Sequence, residues 1–349
     1  MNRARIIFLI FLFVGLARGQ APALNIYGYF DIESEISDRD SQGKIWSFDQ
    51  HHLNLISVYS IDHEFTLFTE MEWEHGPIHT EQKNVGKIYL TRAWLEYKYS
   101  DAIKIQAGKF LLPFGIFGVK YDATPTYLTV SLSPAIYGKY INSAGVEDRL
   151  FAKYPTGVQF TGVSIINNWS FEYFLNLSNG RGPTAAEEDT NVDKALGARI
   201  LTQSPEDVIQ FGVSYYSDRD GNSNNIRQNA FGMDIQLMLG ESSLISEVIV
   251  VTDELLDQDL SLTGKFRKRE GAYIQYSYML ANNLAPYISA GSFTSDASHK
   301  FGDDNYILIG LNYSITPRIY LKGDLRQFSH KANALQDYKQ IELALTVAF

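Results

Sequence analysis

The chain has 349 residues, a formal net charge of −10 at pH 7 and no cysteine. The acidic balance argues against nucleic acid as the main partner, and the lack of cysteine excludes a fold held by disulfides. No segment approaches the roughly 18 consecutive apolar residues of a transmembrane helix, whereas tyrosine and phenylalanine are abundant, at 22 and 21 residues.

The first segment has the pattern of an export signal. Asn2-Arg3-Ala4-Arg5 is basic, an apolar run extends from Ile6 to Ala17, and Gly19 ends a small-residue stretch suited to cleavage. The apolar run is too short for a membrane-spanning helix, which needs about 20 residues. We therefore expect a signal peptide at 1–19 and one domain at 20–349 that leaves the cytoplasm.

Alternation of apolar and polar residues recurs along the rest of the chain. In WSFEYFLNLS at 169–178, for example, every second residue is apolar, which is typical of a strand with one apolar face. The pattern predicts sixteen strands, at 24–36, 49–60, 64–75, 87–99, 102–112, 156–165, 169–178, 193–203, 207–217, 229–239, 243–254, 269–280, 284–295, 305–315, 318–328 and 338–349.

The predicted connections alternate between short and long. Tight turns such as Ile166-Asn167-Asn168 are followed by polar loops such as DRDGNSNN at 218–225. Short turns at one rim, long loops at the other and an even strand count are typical of a bacterial transmembrane barrel. The predicted fold class is therefore all-β, a transmembrane antiparallel β-barrel of about sixteen strands with an inward-folded long loop.

Several stretches resemble the phosphate-selective porin O/P superfamily of Gram-negative outer membranes. They are TRAWLEYKYSDAIKIQAGKFLLPFGIFG at 91–118, GYFDIE at 28–33 and the closing strand that ends at Phe349. The resemblance implies an outer-membrane location, contact with its lipid, a homotrimer and a longest loop that narrows the pore. It also implies that the barrel-assembly machinery reads the last strand, in which Leu345, Val347 and Phe349 form the expected assembly signal.

In such a barrel the polar face of each strand lines a water-filled lumen. The charged residues predicted on that face are Glu70, Glu72, Glu74, Arg92, Glu96, Lys98, Lys104, Glu172, Arg199, Asp234, Glu247, Lys322, Asp324, Arg326 and Glu342. Two interpretations remain open: a solvated wall of mixed charge, and opposed acidic and basic flanks whose field orients passing solutes.

The longest connection, 113–155, is the candidate constriction loop. It has too many aromatic and too few charged residues for disorder, and its length favours a function. Lys120, Asp122, Lys139 and Arg149 are its predicted pore residues. The alternative is an external loop packed on its neighbours. So few basic residues favour weak charge selectivity, or a preference for cations, over selection of phosphate.

No cofactor or metal is expected. His75 and His79, near Glu72 and Glu74, flank Gly76-Pro77 in a predicted loop. His51 and His52 are adjacent in a strand, where neighbours point to opposite faces, so we expect that they do not chelate together.

The predicted function is passive diffusion of small hydrophilic solutes or ions, without enzymatic activity. The alternatives are a barrel enzyme, such as a phospholipase or protease, and a soluble secreted β-rich binding protein.

Overall fold

The computed structural model describes residues 22–38, 46–74, 87–120, 123–138, 140–141, 147–148, 150–181, 188–189, 191–219, 226–256, 262–280, 283–296, 301–330 and 337–349. Sixteen antiparallel strands form one closed barrel, and a two-stranded pair lies in the longest connection. The expected signal peptide at 1–19 lies outside the described residues.

The strands follow one another around the barrel in chain order. Their bounds are β1 Ala23–Ser37, β2 Ser47–Ser60, β3 Phe65–Glu74, β4 Lys87–Ser100, β5 Ile103–Lys109, β6 Tyr140–Ile141, β7 Glu147–Asp148, β8 Thr156–Ile166, β9 Trp169–Ser178, β10 Ala195–Gln203, β11 Ile209–Arg219, β12 Ile226–Leu239, β13 Ser242–Leu256, β14 Leu262–Tyr278, β15 Leu284–Asp296, β16 Phe301–Thr316, β17 Ile319–His330 and β18 Tyr338–Ala348. The pair β6–β7 stands apart, so β5 pairs directly with β8.

The predicted count of sixteen wall strands is confirmed, and most predicted bounds lie within two or three residues of the observed ones. The largest differences are at β14, which begins at Leu262 rather than 269, and at β16, which begins at Phe301 rather than 305, while β5 ends at Lys109 rather than 112. The predicted alternation is also present in the structure, as alternating exposure and burial along the strands. In β9 the outward Leu175 and Leu177 are exposed, whereas the inward Asn176 and Ser178 are buried.

The short turns have the residue types that their geometry needs. Asn167 and Asn168 connect β8 to β9 with φ of 51° and 66°, a region that asparagine tolerates better than most residues. In the β2–β3 turn, the Asp62 carboxylate accepts hydrogen bonds from the backbone N–H groups of Glu64 at 2.8 Å and Phe65 at 2.7 Å. These two bonds lower the pKa of Asp62 and hold the turn.

The barrel closes where β1 pairs with β18, from Tyr29 opposite Ala348 to Ser37 opposite Gln340. One step further, Gly28 and Phe349 exchange two backbone hydrogen bonds of 2.9 Å. The Phe349 ring lies over Gly28, because a Cβ added to that glycine would come within 2.5 Å of the ring. An aromatic ring that covers a strand glycine adds apolar contact across the seam.

The segment between β5 and β8 turns into the barrel. Its described residues include two single-turn helices, α1 Phe117–Lys120 and α2 Pro134–Tyr137, and we call residues 110–155 the inner loop. Leu112, Phe114 and Leu150 of this loop are almost fully buried. The inward-folded long loop is thereby confirmed, and the alternative of an external loop is wrong for its described part.

The buried core of the protein lies inside the barrel, between the inner loop and the wall. It joins loop residues such as Phe114 and Phe151 to inward wall residues such as Ile249, Val251 and Tyr273. The rings of Phe114 and Phe151 stack with centroids 4.6 Å apart. Within the described residues, no helix is both long and apolar enough to cross a membrane.

Replacing Gly28 by Ala should loosen the seam between β1 and β18, because the new methyl group meets the Phe349 ring and the carbonyl of Asn54. Overpacking of this kind costs about 1–3 kcal/mol. We expect a lower temperature for the loss of heat-modifiable migration in detergent gels. Gly323→Ala is the matched control, because its Cβ meets only the Leu343 side chain at 3.1 Å. Equal transition temperatures for the two variants would contradict this account.

Candidate functional site: the lumen and its inner loop

The inner loop docks on one side of the lumen wall. Hydrogen bonds join its described residues, as donors or acceptors, to β11, β12, β13, β16, β17, β18 and β1. On this side the inward polar side chains are covered by the loop. On the other side, formed by β2–β5, β8 and β9, several polar side chains stay partly exposed within the lumen.

Lys322 of β17 is the first anchor of the loop. Its Nζ donates to the backbone carbonyls of Tyr127 at 2.6 Å and Thr129 at 3.0 Å, and also to that of Thr124. Its relative exposure is 1%, so these carbonyls replace the water that an ammonium group would otherwise bind. A lysine presents three donors, and all three are used on one turn of the loop.

A buried ionic group next to Lys322 holds the following loop residues. Asp324 accepts from the backbone N–H of Val130 at 3.0 Å, and Arg326 donates to the carbonyl of Ser131 at 3.4 Å. Arg326 also pairs with Asp324 at 2.7 Å and with Glu342 at 2.9 Å. The carboxylates compensate the buried guanidinium, which would be costly to bury alone.

Glu247 of β13 is the second anchor. One carboxylate oxygen accepts from the backbone N–H of Ile116 at 3.0 Å and from the Tyr137 hydroxyl at 2.7 Å. The other accepts from the Tyr273 hydroxyl at 2.5 Å. Helix α2 lies close to the wall beside this anchor, where a Cβ at Gly271 would overlap the carbonyl oxygen of Ala135. Glycine at 271 therefore allows the loop to approach.

A third group, formed by Arg199, Asp234 and Ser214, holds the loop next to the second anchor. Arg199 pairs with Asp234 through two contacts of 2.5 and 2.9 Å and donates to Ser214 at 2.7 Å. Ser214 in turn accepts from the backbone N–H of Gly115 at 3.3 Å. Arg199 and Asp234 are both buried, so this ion pair orients a hydroxyl towards the loop and does not line free water.

The side of the lumen away from the loop carries a polar strip on β3, β4, β5 and β8. Arg92 pairs with Glu70 at 2.5 Å, and its side chain keeps 11% exposure. Nearby, Glu96 accepts from Gln106 at 2.8 Å, and Gln106 accepts from Gln159 at 2.8 Å. We call this set the polar strip. Its groups hydrogen-bond to one another along the wall.

The sequence prediction of the lumen-facing residues is therefore only partly informative about the pore. Glu70, Glu72, Glu74 and Arg92 lie on β3 and β4, where Glu70 and Glu72 are buried, at 2% and 8% exposure, and Glu74 and Arg92 are partly exposed. Arg199, Lys322 and Arg326 also face inward. Lys322 and Arg326 donate to carbonyls of the loop, and Arg199 binds the Ser214 hydroxyl that contacts it. Lys98 binds Asp101 at 2.7 Å beside the β4–β5 turn.

The predicted pore residues of the loop are mostly outside the described part. Lys120 ends helix α1, but its side chain is not described. Asp122, Lys139 and Arg149 lie outside the described residues, so their role in a constriction stays a prediction.

The expectation that His51 and His52 point to opposite faces is wrong. Between Asp31↔His52 and Glu33↔Asp49 the β1–β2 register shifts, because β2 has one more residue than β1 there. Such a β-bulge breaks the alternation. Both imidazoles consequently face the lumen, with ring centroids 3.8 Å apart. A second register shift, in β4, turns Thr91 and Arg92 to the same face, where they contact Glu72 and Glu70.

Asp31 is the important lumen residue that the sequence analysis left out. It is fully buried and accepts from the Thr124 hydroxyl of the inner loop at 2.6 Å. It lies in GYFDIE, where Tyr29, Asp31 and Glu33 alternate with Phe30 and Ile32. A charge on the inward face of the first strand was the signal that would have identified it.

The comparisons with known proteins bear on the fold. No family profile and no curated protein matches the chain. Among solved structures, the outer membrane channel DcaP of Acinetobacter baumannii is 12% identical with a TM-score of 0.62, and the match covers 94% of this chain and 97% of that one.

Two further structures give similar values. For OmpT, an outer-membrane protein of Vibrio cholerae, the identity is 11%, the TM-score 0.61 and the coverage 95% and 99%. OmpF of Salmonella typhi, solved with daunomycin, is 14% identical with a TM-score of 0.59, and the match covers 93% of this chain and 97% of that one. At these identities the likeness shows the fold alone, which is that of an outer-membrane barrel.

Replacing Lys322 by Met should release the loop from β17, because three carbonyls lose a charged donor and each such bond contributes about 1.5–3 kcal/mol. We expect faster amide hydrogen exchange in 123–131, measured by mass spectrometry, with unchanged exchange in the wall strands. Lys104→Met is the control, since Lys104 lies on the polar side of β5 opposite Thr161. Unchanged protection of 123–131 in the Lys322 variant would contradict the anchor.

Proposed function

We propose that this protein is a channel of the Gram-negative outer membrane that lets small hydrophilic solutes or ions diffuse through its lumen. The observation that carries the proposal is the division of the lumen, in which a buried loop occupies one side and the polar strip remains on the other. Such a lumen offers hydrogen-bonding groups to a hydrated solute, and the inserted loop limits its size.

The outer surface supports the membrane location. Outward residues such as Leu177, Ile200, Phe231, Ile307 and Leu325 are about half exposed, and a belt of this kind needs lipid around it. Closure of the barrel leaves no unpaired sheet edge, which is the requirement for β-structure in lipid. The protein works as a homotrimer in this proposal. The resemblance to phosphate-selective porins implies it, and one of the similar structures is a trimer form of OmpT from Vibrio cholerae.

Charge selectivity in this channel is weak and favours cations. Strands β1–β5 carry more acids than bases: Asp31, Glu33, Glu35, Asp49, Glu70, Glu72, Glu74 and Glu96 against Lys87, Arg92, Lys98, Lys104 and Lys109. Carboxylates that line a pore favour cations. The phosphate selectivity that the superfamily name suggests would need clustered bases, which the described wall of β1–β5 does not supply.

The test of the function is reconstitution of the purified, folded barrel into planar bilayers and liposomes. We expect discrete conductance steps and swelling of the liposomes in small sugars. A folded barrel that gives neither would contradict a diffusion channel. In that case, lipase and protease assays and partition into the aqueous phase would test the two alternatives, a barrel enzyme and a soluble binding protein.

Replacing Arg92 by Gln should increase the preference for cations, because the change removes a positive charge from the open side and leaves Glu70 uncompensated. A unit charge near a passing ion in water contributes on the order of 1 kcal/mol, so the permeability ratio should change by up to about fivefold. Reversal potentials in a salt gradient measure this. Lys98→Gln is the control, because Lys98 binds Asp101 near the turn. A shift of equal size in both variants would contradict a selective role for Arg92.

Phe349, with Val347 and Leu345, forms the assembly signal of the barrel in this proposal, and Phe349 also closes the seam over Gly28. Deleting Phe349 should reduce the fraction of exported protein that reaches the outer membrane in a heat-modifiable form, measured by cell fractionation. Phe349→Tyr, which keeps an aromatic ring, should retain it. Normal insertion of the truncated chain would exclude a role of Phe349 in the assembly signal.

A further inference from the structure

A cluster of two imidazoles and four carboxylates lies on the lumen wall formed by β1, β2 and β3. His52 is at its centre, with Nδ1 3.2 Å from Asp31 Oδ2 and Nε2 3.5 Å from Glu72 Oε1. His51 Nδ1 lies 3.1 Å from Glu33 Oε1. Glu74 completes the cluster, with a carboxylate oxygen within 4.8 Å of ligand atoms of His52 and Glu72.

The β-bulge creates this cluster. In a regular strand, His51 would point to the lipid and His52 to the lumen. The extra residue in β2 brings both rings to the inner face, at a centroid separation of 3.8 Å. An exposed histidine pair is common on protein surfaces, whereas a bulge that gathers two imidazoles beside a fully buried carboxylate is a built arrangement. Bulges often re-aim a side chain at a functional position.

We propose that Asp31, His51 and His52 bind a divalent transition-metal ion of the Zn²⁺, Ni²⁺ or Cu²⁺ class in the lumen. One ligand atom from each residue lies within 4.8 Å of the others. Small side-chain rotations would bring them to the roughly 2.0–2.2 Å from a common centre that nitrogen and carboxylate ligands need. Two imidazole nitrogens with a carboxylate oxygen suit these metals better than Mg²⁺ or Ca²⁺, which prefer oxygen ligands alone.

The surroundings favour a cation and keep it accessible. Glu33, Glu72 and Glu74 add negative charge around the three ligands. Asp31 is buried, but the side chains of His51 and His52 keep 31% and 16% exposure, so an ion can reach the site from lumen water. The Thr124 hydroxyl holds Asp31 from the loop side at 2.6 Å and fixes the carboxylate as an outer-shell partner does in metal sites.

The site lies at the contact between the wall and the inner loop. Asp31 binds Thr124, and the carbonyl of Thr124 accepts from Lys322, the first anchor. A bound metal therefore occupies the edge of the passage beside the loop. The inference concerns binding alone, so it stands or fails independently of conduction.

The test is Cu²⁺ binding to the full-length folded barrel in detergent, without a histidine tag, followed by electron paramagnetic resonance. The expected wild-type spectrum shows nitrogen hyperfine coupling from two imidazoles at one equivalent of Cu²⁺. His51→Gln and His52→Gln should each reduce this to one imidazole. Each should also weaken Ni²⁺ affinity, measured by titration calorimetry, by at least ~10-fold, the lower end of the loss for outer-shell changes.

Two matched controls separate this site from the other histidines. His63→Gln removes an exposed imidazole in the β2–β3 turn, 3.5 Å from Glu64, and should leave both measurements unchanged. The double change His75→Gln/His79→Gln removes the pair considered from the sequence and should do the same. If the His52→Gln variant does not insert as a heat-modifiable barrel, the His51→Gln variant alone tests the metal site.

Three results would overturn the inference. They are the absence of two-nitrogen coupling in the wild type, unchanged coupling and affinity in the His51 and His52 variants, and loss of binding in the His75/His79 variant alone.

Discussion

The whole structure depends on pairing of main-chain polar groups that water cannot reach. In the wall this need is met by closure: β1 pairs with β18, and each strand finds a neighbour on both sides. A backbone group left unpaired in an apolar setting costs several kcal/mol, so the barrel closes completely. The Gly28–Phe349 pair extends the closing ladder by one more step.

The inner loop has the same need and meets it differently. The described part of the loop has little regular secondary structure, so its carbonyl and N–H groups require partners from the wall. Lys322, Asp324, Arg326 and Glu247 supply them. The charges of this side are consequently structural. They fix the loop in one position, and in the proposed channel the polar strip on the opposite wall faces the passing solute.

Alternation, together with the short and long connections, was enough to predict the wall, because a strand between lipid and water repeats every two residues. It failed where the repeat is locally broken. The bulge at His51 and the register shift at Thr91 each add one residue to a strand, and no change in composition indicates them. The end of β5 was also missed, since Phe110, Leu112 and Phe114 continue the alternation but leave the wall to pack inside the barrel.

The sequence likewise predicted which charges face inward but not which of them stay in contact with water. Lys322 and Arg92 both occupy inward strand positions. Only the path of the inner loop separates them, and that path depends on contacts between residues almost 200 positions apart, such as Lys322 and Thr129. A contact between residues so far apart does not produce a periodic pattern in the sequence.

In the proposed channel the anchored inner loop sets the width of the passage. The most direct test is the single-channel conductance of a Lys322→Met/Glu247→Gln double variant, which loses both anchors, compared with the wild type in the same salt. We expect a larger or strongly fluctuating conductance, because the freed loop is no longer held on one side of the lumen. A conductance equal in size and steadiness to that of the wild type, from a barrel that is still folded, would contradict it.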